Sequence, residues 1–410
     1  MKNFICLVFI SIICVACTKD PGVTSEPTDS LQDGWDPVLI PNKDSLGTRG
    51  SGLQAILHSG SWIMVEDAWS VPAEGKPGYL VHAPRLFVTT ANGTHWDTLS
   101  VPSKGFVHTL YSDSTAFYVG TTTGDVLKYL PDNKEWIKIN VLDSSSDIEF
   151  GVYGIAKFEN NLIVCLAGFK DTVTREVVSV LRLQNGDSWI DLDTPPIHYD
   201  PYGTETVPLQ FHRGVEWNGK FYAATADGVF ELEPGFWQWK QLPHPPKLRY
   251  TKSLVANPVK DILVHKNKLV MADEWRLLAY EWDDAGNEWV PIDSLFLDFY
   301  NSEDSLNYII NVNSIHGKYR LVSDGEHLFS FGKRSYPKVY MGDYGEPYGN
   351  IPKGWRSIVG DVSKGHRLPT LVIYGGDVID GELYAVSYEG LYKISLKNLD
   401  SIIAGEKDFF

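Results

Sequence analysis

A chain of 410 residues carrying a formal charge of −16 offers no basic face to displace counterions from nucleic acid or to settle on anionic headgroups, so neither is an expected partner. Aromatic residues at 13% and 36 glycines suit a β-rich fold with many turns, and no long window carries the 3.6-residue apolar period of an amphipathic helix. The length allows one large all-β domain.

The chain opens with Lys2 and then the uncharged run 4–16 (FICLVFISIICVA), which is short for a bilayer span. It ends in Cys14-Val15-Ala16-Cys17. This resembles a bacterial lipobox, in which a small residue precedes the cysteine that is acylated after cleavage; Cys14 departs from the usual Leu. The resemblance implies a signal peptide over 1–16, a lipid anchor on Cys17, and an exported protein tethered to the outer membrane or cell surface. Lys19-Asp20 gives no sign of inner-membrane retention. A plain secretory signal cleaved near Ala16 is the alternative. Residues 18–33 are polar, acidic and Pro-containing, and read with Cys17 as a flexible tether. Cys165, in the apolar run NLIVCLAG, reads as a small core residue; no disulfide, metal pair or cofactor is expected.

From residue 34 onward two signatures recur. The first is a hairpin turn followed by an apolar-aromatic strand: HSGSWIMV (58–65), SDSTAFYVG (112–120), ENNLIVCL (159–166), NGKFYAAT (218–225), KNKLVMAD (266–273), HGKYRLVS (316–323) and DGELYAVS (380–387). The second is a Trp opening a short strand, at Trp96, Trp136, Trp189, Trp239, Trp289 and Trp355. Each follows one of the first six turns. The seventh turn has no Trp after it, and the missing copy stands at Trp35, ahead of the first turn. A closed ring produces this offset, because the last repeat can borrow its outer strand from the N-terminus and so cover a free edge. The expected fold is an all-β, seven-bladed β-propeller over 34–400, closed by an N-terminal outer strand at 34–41, with 401–410 as a tail. Six blades plus an embellishment is the alternative, because the sixth spacing from turn to Trp is long.

Asp284-Ala285-Gly286-Asn287-Glu288-Trp289 keeps an Asp-x-Gly-x-x-Trp core, Asn92-Gly93-Thr94-His95-Trp96 keeps the Gly and Trp, and Asn185-Gly186-Asp187-Ser188-Trp189 keeps the Trp and its turn. These degenerate repeats resemble the Asp-box (BNR-type) units of sialidase-like and sortilin-like propellers. The resemblance implies a scaffold and leaves activity open.

In a four-stranded blade the turns between strands one and two, and three and four, fall on one end, here called the bottom. The connections 67–84, 168–175, 193–210, 293–309 and 359–370 are long and belong to the other end, the top. They bring Trp69, Tyr79, Tyr199, Tyr202 and Tyr300 near carboxylates, and with Trp275 these are the candidate ligand-binding residues, unless they only pack the loops. The long stretch 333–354, with Tyr336, Tyr340, Tyr344 and Tyr348, is expected as one bottom connection. There is no nucleophile elbow and no His pair at metal spacing. Arg213 and Glu216 on one inner strand read as a channel-lining ion pair, and His198-Tyr199-Asp200 as a polar loop. The expected function is a monomeric, non-enzymatic scaffold that binds a polysaccharide or a protein at the top. The alternative is a glycan-active hydrolase or lyase using Arg213, Glu216 and His198.

Overall fold

The computed structural model describes residues 36–38, 40, 52–68, 70–72, 80–82, 85–91, 95–142, 149–169, 177–194, 211–225, 228–235, 237–244, 259–273, 279–291, 320–332, 338–342, 355–357, 373–387 and 390–398. Among these residues the strands form seven four-stranded antiparallel sheets and one two-stranded ribbon. Sheet one holds Gly52–Ser59, Trp62–Ala68, Arg85–Thr90 and Asp97–Leu99. Sheet two holds Val107–Ser112, Phe117–Thr121, Val126–Leu130 and Glu135–Ile139, and sheet three Glu149–Phe158, Asn161–Phe169, Val177–Asn185 and Ser188–Leu192. Sheet four holds Phe211–Trp217, Lys220–Thr225, Gly228–Glu233 and Gln238–Gln241, and sheet five Val259–His265, Lys268–Asp273, Ala279–Asp283 and Glu288–Pro291. Sheet six holds Arg320–Ser323, Leu328–Gly332, Lys338–Gly342 and Trp355–Ser357. Sheet seven takes Ile373–Ile379, Glu382–Ser387 and Leu391–Ser395, and its fourth strand, Asp36–Val38, comes from the other end of the chain. Asp36 faces Lys393, Pro37 faces Tyr392 and Val38 faces Leu391.

The first strands neighbour one another in chain order, and the first strand of sheet one also neighbours that of sheet seven. The circuit is closed, and the fold is a β-propeller. Its core lies between sheets rather than on an axis. Leu53, Ile56, Ile63, Val65, Phe87 and Trp96 of sheet one pack with Ile379, Tyr384, Val386 and Leu391 of sheet seven, and the junctions from sheets one and two to sheets four and five repeat this pattern. A sheet that buries both faces against neighbours needs apolar residues at successive positions, which is why FYVGT and KFYAAT are buried almost throughout.

Local chemistry explains the hairpins. Glu159-Asn160, Asn218-Gly219, Lys266-Asn267 and Asp380-Gly381 all have positive φ at both central residues, the backbone that matches the twist of a two-residue hairpin. Two first hairpins are longer and are held by an aspartate. Asp113 Oδ1 accepts the N–H groups of Thr115 and Ala116, and Asp324 Oδ1 accepts those of Glu326 and His327.

The second of these corrects an expectation. The stretch HGKYRLVS does not close the sixth hairpin. Arg320–Ser323 is the inner strand of sheet six, Ser323 faces Leu328 across the turn, and Leu328–Gly332 is the second strand. Stretch 333–354 is therefore not one bottom connection, because it contains the third strand of the sheet. Tyr340 lies on that strand, opposite Ser330 and Ser357. Tyr336, Tyr344 and Tyr348 lie outside the described residues, as does Trp35.

Candidate binding site at the channel mouth

Each inner strand runs from the top end to a bottom hairpin. In six of the seven the register slips by one residue just inside the top end: between Leu53 and Ala55, Val107 and Thr109, Val152 and Gly154, Phe211 and Arg213, Val259 and Asp261, and Ile373 and Gly375. A bulge of this kind sets two residues against one, bends the strand and re-aims a side chain. The inserted residues are Gln54, His108, Tyr153, His212, Lys260 and Tyr374, all with hydrogen-bonding side chains. Those whose side chains are described, on the inner strands of sheets one to three, give the channel's top mouth a polar rim. Among those whose side chains are described, Gln54, His108 and Tyr153 are half-buried. His108 and Tyr153, from neighbouring sheets, meet edge to face with ring centroids 4.3 Å apart.

This rim was not anticipated, although its signal is in the sequence. The inner strands begin LQAI, VHTL, VYGI, FHRG, VKDI and IYGG. An apolar residue, buried in the first five, precedes the bulge residue each time. One extra residue upsets the strict alternation by which a strand is recognised.

One step inward stands Arg213. Its Nη1 donates to both carboxylate oxygens of Asp261, on the inner strand of sheet five, at 3.2 Å each, and to the carbonyl of Leu321, on the inner strand of sheet six, at 3.0 Å. Asp261 is buried and also accepts the main-chain N–H of Ile262 at 2.9 Å and of Leu321 at 2.5 Å. The expected pair of Arg213 with Glu216 is thus replaced by Arg213 with Asp261. Residues three apart on a strand point to opposite faces, so Glu216 is turned away. Glu216 Oε2 accepts the N–H of Glu159 at 2.9 Å, in the bottom hairpin of sheet three.

At the bottom end, sheets two and three share a second polar group. Asp113 takes Lys157, and its Oδ2 accepts the Tyr118 hydroxyl at 2.9 Å. Burial works to raise the Asp113 carboxyl, but Lys157, the Thr115 N–H and hydroxyl, and Tyr118 outweigh it and hold it at about 2. Tyr111 is pushed up to about 12, first by burial and then by Asp113, while the charge of Arg213 opposes the rise. At the top of sheet one Arg85 Nη2 donates to the fully buried Asp67 at 2.5 Å.

The ligand candidates Trp69, Tyr79, Tyr199, Tyr202, Trp275 and Tyr300 lie outside the described residues, as do His198 and Cys17. Among the described residues no group of three His, Cys, Asp or Glu could hold a metal ion, and no helix is long and apolar enough to cross a membrane.

No protein-family model matches the chain, and no curated protein matches it in sequence. Solved structures do. YCF48 from Cyanidioschyzon merolae is 13% identical, with a TM-score of 0.50 over 89% of this chain and 99% of that one. The extracellular domain of the putative hybrid two-component system BT3049 from B. thetaiotaomicron is 13% identical, with a TM-score of 0.47 over 84% of this chain and 40% of that one. PorZ, a surface component of the type-IX secretion system of Porphyromonas gingivalis, is 8% identical, with a TM-score of 0.45 over 88% of this chain and 38% of that one. At such identities the likeness to YCF48 is one of fold, a β-propeller.

Proposed function

We propose that this chain is a membrane-tethered, non-enzymatic recognition scaffold, a seven-bladed ring that binds its ligand at the top end. The observation that carries this is the asymmetry between the two ends. The bottom is sealed by first hairpins as tight as Asn218-Gly219, whereas the top has the rim of bulge residues and receives the long crossovers between sheets. Rigid strands that end in a polar rim suit a recognition surface.

The tether adds an orientation. Asp36–Val38 runs antiparallel to Leu391–Ser395, so it travels from bottom to top and the chain reaches the ring from below. A lipid on Cys17 then holds the bottom toward the membrane and presents the rim to the exterior.

Glycan and peptide arrays on the purified protein, with turnover assays on the same compounds, test the reading. Binding abolished by Trp69→Ala or Tyr202→Ala, without turnover, is the expected result. Turnover of any of these compounds would overthrow it. Separately, Cys17→Ala should move the protein from the membrane to the soluble fraction, and retention in the membrane would defeat the anchor.

A further inference from the structure

We infer that Arg213 receives a carboxylate from a protein partner inside the channel mouth, an inference that rests on the top-end recognition reading and names its ligand chemistry. Arg213 is rooted on the inner strand of sheet four, yet Nη1 reaches the carbonyl of Leu321 on sheet six. A side chain can pass from sheet four to sheet six only on the axial side of sheet five, so the guanidinium lies across the channel.

All three of its bonds come from Nη1. Among the described residues Nε and Nη2 have no acceptor, and the side chain is 35% exposed. A carboxylate free to choose meets arginine through two parallel N–H bonds. Asp261 does not, because Ile262 and Leu321 already fix its oxygens through their main-chain N–H groups. The other edge of the fork is left as a bidentate donor facing the channel. Its positive field reaches across to Tyr111 on sheet two.

The rim selects the kind of carboxylate. His108 and Tyr153 meet edge to face, so the ring that takes the other's edge has one face fewer for a sugar ring to stack on. A glutamate or aspartate side chain, or a chain terminus, carries its carboxylate on a narrow stalk that fits between rim residues. A uronate carries it against a pyranose that must enter whole.

The test uses the purified full chain with fluorescent hexaglutamate and hexaglutamine peptides, read by anisotropy. Wild type should bind hexaglutamate and not hexaglutamine. Arg213→Gln should weaken binding by about tenfold or more. Arg213→Lys should fall between them, since it keeps the charge and loses the fork. No binding of hexaglutamate by wild type, equal affinity for the two peptides, or equal affinity of wild type and Arg213→Gln overturns the inference. So does Arg213-dependent binding of oligogalacturonate in place of the peptide. Should Arg213→Gln fail to fold, Arg213→Lys decides alone, and unchanged affinity overturns the proposal. Tyr153→Ala separates the two levels of the argument. Peptide binding lost there but kept in Arg213→Gln defeats the channel carboxylate and leaves the scaffold standing, while binding that neither variant alters defeats both.

Discussion

The indole N–H of Trp189, on the outer strand of sheet three, donates to the main-chain carbonyl of Asn140, the first residue beyond the outer strand of sheet two, at 2.8 Å. One sheet further on, Trp239 donates in the same way to Asp193, the first residue beyond the outer strand of sheet three, at 2.7 Å. The recurring Trp is therefore a clasp between neighbouring sheets, anchored where each outer strand ends. Elsewhere the same position serves by packing. Trp289 is 2% exposed in the junction of sheets four and five, and Trp96 is buried against Tyr384 and Leu391 of sheet seven.

Two kinds of loss follow from the clasp. Trp189→Phe keeps most of the ring and loses one hydrogen bond, a cost of about 1 kcal/mol. Trp289→Ala empties a buried site and should cost about 3–5 kcal/mol. Urea denaturation midpoints measure both. Equal losses would show that the indole N–H, and not burial, dominates at each position.

The clasp also shows what the sequence reveals. Trp spacing and two-residue turns are local patterns, so hairpins such as Asn218-Gly219 and the displaced strand near Trp35 could be read directly. The sixth hairpin could not. His316-Gly317 and Asp324-Gly325 are both plausible turns eight residues apart, and only the pairing of Ser323 with Leu328 decides between them. The partner of Arg213 was hidden for a different reason. Asp261 is 48 residues away, at the equivalent place in the next repeat, where FHRG aligns with VKDI. A search for partners along one strand finds Glu216, which the alternation of a strand turns to the wrong face.

Ring closure yields a test by truncation. Asp36–Val38 is the outer strand of sheet seven, and Ile40 is buried in the junction of sheets seven and one. Deleting 18–41 exposes the edge of Leu391–Ser395 and removes Ile40, so the melting temperature should drop by several degrees or more. Deleting 18–32 touches neither and should leave it unchanged. Identical melting of the two truncations would refute closure by this strand.

Close packing of the inner strands makes two glycines irreplaceable. A Cβ on Gly154 would lie 2.7 Å from both the ring and the carbonyl oxygen of Phe211, and one on Gly214 would lie 2.2 Å from the ring of Phe221. Phe211 and Phe221 are themselves packed edge to face at 6.2 Å within the junction of sheets three and four. Gly154→Ala and Gly214→Ala should each destabilise by about 1–3 kcal/mol through overpacking. Gly186→Ala, with no atom within 4 Å of the added carbon, meets no such clash and is strained only through its positive φ of 61°. Chemical denaturation of the three variants ranks them, and a larger loss at Gly186 than at Gly154 would contradict the packing argument.

Acid should weaken the ring in two separate steps. His265 is buried at the bottom of sheet five, with Nδ1 hydrogen-bonded to Ser323 Oγ at 2.7 Å. Burial, then the charge of Lys266, holds its pKa below the ordinary 6.5. The unfolded chain therefore takes up the proton first, so this contribution is complete above about pH 6.5 and declines as pH falls toward the folded value. Asp113 acts further down. With its carboxyl held at about 2 against an ordinary 3.8, the stability it provides is complete above 3.8 and is lost between there and 2. Denaturant midpoints measured from pH 7.5 down to 2.5 should show both declines. His265→Gln should flatten the upper step and leave the lower, and Asp113→Asn should shrink the lower step, to which Asp97, Asp125 and Asp324 also contribute, and leave the upper. An upper step of full size in His265→Gln would assign that decline to another group.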